Sequence, residues 1–288
     1  ATWDARQFNN KICSLFLASI SNRNILKNIP LEQYKTIIDF GENTLNLRPS
    51  LYDLLMWDAI HFFQNENIEI TQPIYKFELD DEKYFSNANS FSQLNIQAKD
   101  SSSLKLKTIQ LYQELLVHYQ TSKSIDGLID ADLARLNFVY QFSTRPNKKT
   151  IYQDALYSLA KNFKANKNVA QALFLAAQLK LNENLEAQNY SELAINNQAQ
   201  NSKDLVAIQT ELQQIIHDYP NSEGAINAYN SIQNLIKTSL TVTVEDAYPP
   251  LEAAKFLLGY KNSNEVEICI YRTNILQIKN KKEIGKLV

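Results

Sequence analysis

Along most of the chain the apolar residues recur every three or four positions, and this rhythm holds as far as Lys237. From Leu240 it changes: Leu240, Val242 and Val244 alternate with Thr241, Thr243 and Glu245. A period near 3.6 predicts helices with one buried face, and a period of 2 predicts a strand. The chain therefore reads as a helical domain over residues 1–238 and a partial β domain over residues 239–288.

The stripe Trp3, Phe8, Ile12, Leu15, Phe16 and Ser19 predicts a first helix from Trp3 to about Leu26. Pro30 suits a helix start, so a second helix is expected over Leu31–Phe40, closed by a left-handed Gly41. Ser50 is a good N-cap for a third helix, with Asp53 three residues on and Leu51, Leu54, Leu55, Ala59, Phe62 and Phe63 on its buried face. Residues 65–100 are less regular. Pro73–Leu79 reads as a short extended segment with Phe77 and Leu79 on one side and Lys76 and Glu78 on the other. Phe85, Phe91 and Leu94 are expected to tuck this stretch against the helices, and Asp100-Ser101-Ser102-Ser103 to cap the next one.

Six helices follow. Their faces are marked by Leu104 to Tyr119, Ile125 to Tyr140, Tyr152 to Phe163, Val169 to Leu179, Leu205 to Tyr219 and Ala225 to Ile236. Short polar turns such as Thr121-Ser122-Lys123, Pro146-Asn147, 164–168 and Pro220-Asn221 separate them, which makes neighbours antiparallel. The expected architecture is mainly α: an irregular stack of helical hairpins resembling tetratricopeptide repeats, with no strict 34-residue period. Three strands, Leu240–Glu245, Lys255–Tyr260 and Glu265–Arg272, should follow as an antiparallel, incomplete β-sandwich.

Composition narrows the chemistry. With only 5 Gly and 7 Pro, the chain is poor in the loops that α/β enzymes build around phosphates. A net charge of −2 gives no long-range pull toward nucleic acid or an anionic membrane, and no apolar run is long enough for a membrane span. No phosphate loop, nucleophile elbow or zincin motif occurs. The three histidines, His61, His118 and His217, are scattered. Glu114 and His118 share a helix face at i, i+4 but supply only two of the three or four ligands zinc needs, so a surface contact is the expectation.

Asp126, Asp130 and Asp132 lack the order of a calcium loop. Asp126 reads as a helix cap, and Asp132 with Arg135 as an i, i+3 ion pair beside the core. Cys13 and Cys269 read as buried free thiols, a disulfide between them being open. Lys279–Lys286 reads as a solvated tail. No catalytic, cofactor-binding or metal-binding residue is assigned, no cofactor is expected, and the binding face is unknown.

Three stretches, in order, resemble a known family: LRPSLYDLLMWDAIHFF (Leu47 to Phe63), SIDGLIDADLARLNFVY (Ser124 to Tyr140), and the helix-to-strand passage with Tyr219-Pro220, Tyr260-Lys261-Asn262 and Ile270-Tyr271-Arg272. The chain is similar to the N-terminal region of large bacterial alpha-2-macroglobulin-like proteins, which carry helices ahead of their first macroglobulin-type sandwich. The resemblance implies a secreted, periplasmic or cell-surface protein, lipid-anchored upstream, whose partners are proteinases or envelope proteins. It implies a front-end module without catalysis in a proteinase trap. Neither Cys13, followed by Ser14-Leu15-Phe16, nor Cys269, followed by Ile270-Tyr271-Arg272, fits that family's thioester motif. The rival expectation from the helical pattern is a tetratricopeptide-like adaptor that grips a peptide.

Overall fold

In a computed structural model, which describes residues 4–65, 73–190, 198–244 and 255–268, the chain is mainly helical with one small antiparallel sheet. It divides into two compact units, Ala1–Asn230 and Ser231–Val288.

The first unit begins with α1 (Ala5–Ser19) and a single turn, α2 (Arg23–Leu26). The continuous helix expected from Trp3 to Leu26 is thus broken. Trp3 lies outside the described residues. The break falls at Ile20, Ser21 and Asn22, where Ser21 donates to the Ala18 carbonyl and Ile20 alone turns inward. The N-terminus is set by Asp4, whose side chain accepts from the Gln7 N–H while the Gln7 side chain returns a bond to Asp4.

The helix expected over Leu31–Phe40 is only a 3₁₀ turn, Leu31–Tyr34. Pro30 is extended and bridges Ser50 in antiparallel fashion, with Leu31 N donating to Pro49 O and Leu51 N to Ile29 O. That tertiary pairing fixes the chain where a helix would have started. Gly41 is not left-handed, so it is not the cap expected of it. A further turn, α3 (Thr44–Leu47), leads to Ser50.

α4 (Leu51–Phe63) starts as its sequence predicts. Ser50 and Asp53 form a reciprocal capping box, and both are buried. Its inward face is Tyr52, Met56, Trp57, Ala59, Ile60 and Phe63. Of the extended segment expected over Pro73–Leu79 only the second half holds: Ile74 and Tyr75 form a turn closed by Lys76 N donating to Pro73 O, and beyond it Phe77 and Leu79 are buried, Lys76 is exposed, and Leu79 bridges Ser143. A 3₁₀ turn (Glu82–Phe85) and α5 (Ala88–Ser92) then bury Phe85 and Phe91.

The stack proper is α6 (Leu104–Ser122), α7 (Ile125–Phe142), α8 (Lys148–Asn162), α9 (Val169–Tyr190) and α10 (Gln198–Asp218). Each packs on the next, and α4 and α5 lie against α6. Ser103 caps α6 by accepting from the Leu106 N–H. The turn from α6 to α7 works because Lys123 adopts the left-handed conformation (φ 57°) and ends α6. Small residues set the spacing. A Cβ on Gly127 would lie 2.6 Å from the Tyr119 ring. One on Gly224, near the start of α11 (Glu223–Ile236), would lie 2.1 Å from the Ala170 carbonyl carbon. Polar ties cross the stack as well: the Tyr157 hydroxyl and Lys180 both donate to Glu211, and the Tyr219 hydroxyl donates to Lys164 O. One large apolar core runs through α4, α6, α7 and α8 to Ala172, Ala176 and Leu179 of α9.

In the second unit, β1 (Ser239–Val244) pairs antiparallel with β2 (Phe256–Lys261) in the register Ser239↔Lys261 to Val244↔Phe256. Among the described residues two strands form where three were expected. Of the third, Glu265–Ile268 is not in a strand, and the remainder lies outside the described residues. Asn262, left-handed at φ 54°, donates from Nδ2 to Leu235 O (2.6 Å) and Lys237 O (3.1 Å), occupying carbonyls a helix end leaves open. Leu240, Val242, Val244, Phe256, Leu257 and Tyr260 all remain exposed.

Candidate functional site

The three aspartates near the start of α7 do not converge. Asp126 is in the first turn but is not its cap: Ser124 holds that position, and Asp126 Oδ1 instead accepts from Asn166 Nδ2 (2.5 Å), tying the α8–α9 turn to α7. Asp130 faces Arg48 at 3.6 Å, and burial raises its pKa against the pull of that guanidinium. Asp132 turns inward to Arg135.

The Asp132–Arg135 pair, expected beside the core, lies within it. Arg135 has no exposed surface. Its Nε donates to Asp132 Oδ1 (3.0 Å), and Nη2 reaches the same oxygen. Nη1 donates to Tyr84 O (2.5 Å) and Nη2 to Ser86 O (2.9 Å), and the guanidinium lies 4.4 Å from the centre of the Phe91 ring. One side chain thus fastens α7 to the turn before α5. Burial pushes the Asp132 carboxyl up in pKa, and Arg135 opposes that shift.

The pair forms the inner wall of a cavity of about 420 Å³ between α5, α7 and α8. Leu128, Leu136 and Leu159 give it apolar sides, and Asn89, Ser158 and Asn162 stand exposed at its mouth. The i, i+3 spacing of Asp132 and Arg135 was readable in the sequence. The cavity was not, because its walls come from segments some seventy residues apart.

A second groove, of about 490 Å³, runs between α2, α4 and α6. Glu114 and His118 line it, yet each is engaged separately. Glu114 pairs with Arg23 (2.8 Å), and His118 Nε2 contacts Asp53 Oδ1 (3.1 Å). Burial pushes the Asp53 carboxyl up, but hydrogen bonds involving His118 and Ser50 more than offset it, and its pKa falls below the usual carboxylate value. Ser50 bonds the other Asp53 oxygen and not His118, so the three do not form a nucleophilic relay.

His61 lies beside the Trp57 ring, and burial lowers its pKa. His217 is exposed and contacts Asp218 (2.9 Å). Among the described residues no three His, Cys, Asp or Glu side chains converge to hold a metal. Cys13 is buried and free, and its thiol pKa is raised by that burial. Cys269 and Lys279–Lys286 lie outside the described residues. No described helix is long and apolar enough to cross a membrane. Comparison of the chain with protein-family models, with curated proteins and with solved structures finds no match.

Proposed function

We propose that the chain is a non-catalytic interaction module: a helical platform standing ahead of β domains in a secreted or cell-surface alpha-2-macroglobulin-like protein that captures proteinases. The observation that carries this reading is the β1–β2 hairpin. It is antiparallel, it follows the last described helix after two residues, and Leu240, Val242, Val244, Phe256 and Tyr260, which share one face in its register, have no cover. A lone two-stranded hairpin is marginal in water, and its open edges invite further strands. Completion by strands of the same protein, as the family resemblance implies, covers that face.

The test is capture. The full-length protein is incubated with a proteinase, and the mixture is assayed on a small chromogenic peptide and on a large protein substrate. The reading expects the proteinase to co-elute with the protein, to keep its activity on the peptide and to lose it on the large substrate. Unchanged activity on both, with no co-elution, refutes it.

A further inference from the structure

We infer that the pocket between α4, α6 and α7 is a binding site for a neutral sugar ring. The inference does not depend on the trap role.

The pocket holds about 350 Å³, at the small end of the usual range for ligand sites, about 300–1,000 Å³. Two helical stripes face it. Trp57, His61 and Gln64 stand at i, i+4 and i+7 along α4 and its C-cap. Ala134, Asn137, Phe138 and Gln141 stand at i, i+3, i+4 and i+7 along α7. Such spacings keep each set on one side of its helix. Tyr112 of α6 closes the floor.

Charge is what distinguishes this pocket. Among the described residues no acidic or basic side chain lines it, whereas Asp132 and Arg135 line the cavity beside α8, and Arg23 and Glu114 the groove beside α2. His61 is neutral at pH 7 as well, because burial and the nearby Arg48 hold its pKa below the usual histidine value. The remaining polar groups are carboxamides. Gln64 Nε2 donates to the Tyr112 hydroxyl (2.7 Å), which fixes the amide and leaves Oε1 to accept. Asn137 and Gln141 are exposed, and their side chains make no hydrogen bond among the described residues.

These groups select the ligand. A carboxamide both donates and accepts, and so does a hydroxyl, so the two pair in either direction. An ion entering the pocket loses its hydration and meets no counter-charge. A wholly apolar ligand strips water from His61, Gln64, Asn137 and Gln141 and returns no bond. A flat heterocycle finds no open ring to stack on: Trp57, Tyr112 and Phe138 are 3%, 1% and 3% exposed. Half-buried Phe142 already has Lys105 Nζ over its ring and Phe138 beside it. A sugar ring needs no stacking face. Its hydroxyls meet the amides, and its C–H groups rest on the aromatic floor.

The experiment titrates the ¹⁵N-labelled full chain with the methyl glycosides of glucose, galactose, mannose and N-acetylglucosamine. Glucuronate and glucosamine serve as charged counterparts, and adenosine as the flat competitor. The readout is the set of amide shifts. At least one neutral glycoside is expected to shift residues around Gln64, Asn137 and Gln141, and to bind about tenfold more tightly than either charged sugar. The double variant Asn137→Ala/Gln141→Ala removes two exposed amides. It should weaken that binding about tenfold while leaving thermal unfolding unchanged. Four results overturn the inference: no localised shift with any of the four glycosides, equal binding of the charged sugars, tighter binding of adenosine than of every glycoside, or undiminished affinity in the double variant.

Discussion

Replacing Arg135 with methionine tests the account of the core most directly. Methionine keeps much of the volume and removes the charge and all the donors. Asp132 is then a buried carboxylate with no counter-charge, which costs about 3–5 kcal/mol in comparable pairs. Tyr84 O and Ser86 O also lose their donors, each worth about 1 kcal/mol net. These terms overlap, so the expected loss is about 4 kcal/mol, a large part of the roughly 5–15 kcal/mol that holds a domain together.

The double variant Asp132→Leu/Arg135→Met removes the stranded charge and leaves only the two carbonyls unmet. It should recover about 2 kcal/mol relative to the single variant. The single variant should also gain stability on acidification. Without Arg135, burial alone raises the Asp132 pKa above its unfolded value. A raised carboxyl contributes stability below the unfolded pKa and loses it as pH rises through the folded one. Urea unfolding at pH 5 and pH 8, followed by circular dichroism and by fluorescence of buried Trp57, measures all three quantities. A loss under about 1.5 kcal/mol in the single variant, or a double variant no more stable than the single, refutes the assignment of Arg135 as the buried tie.

Three further outcomes are expected. Gly224→Ala should lower the melting temperature, since its Cβ would stand 2.1 Å from the Ala170 backbone; overpacking of about 1–3 kcal/mol exceeds the helix-propensity gain of about 1 kcal/mol, and a stabilised variant would contradict the close approach. Asp53 has a lowered pKa, so its contribution is present above its unfolded pKa of about 3.9 and disappears as pH falls through the lower folded value. Asp53→Ala, which also removes the α4 capping box, should therefore flatten the acid limb of the stability–pH curve measured by urea titration; an unchanged limb counts against the His118 and Ser50 bonds. Val242→Lys should leave the thermal unfolding of the helical unit within about 0.5 kcal/mol of the parent while reducing binding of a hydrophobic dye, because Val242 is exposed and unsupported.

The helices were largely legible, and the irregular N-terminal part was not. α4 could be placed because Ser50 and Asp53 act locally, three residues apart. The α6–α9 hairpins could be placed because their turns are too short for anything but reversal. The Leu31–Phe40 helix failed for a non-local reason: the backbone around Pro30 pairs with residues 49–51, and no window of ten residues contains that competitor. Asp126 misled for the same kind of reason, its partner Asn166 being forty residues away. The ion pair of Asp132 and Arg135 was readable as a spacing, but its depth depends on Tyr84, Ser86 and Phe91, which only folding brings near.

From α6 to α10 every helix leans on its predecessor in the chain. Contacts so near in sequence need little loop closure, which favours rapid assembly. During synthesis, α7 meets a finished α6 surface as soon as it emerges, and α8 then meets α7. Each later layer then locks what came before it, as Arg135 does at Tyr84 and Ser86 and Glu211 does at Tyr157, so the stack tightens as it grows from the ribosome.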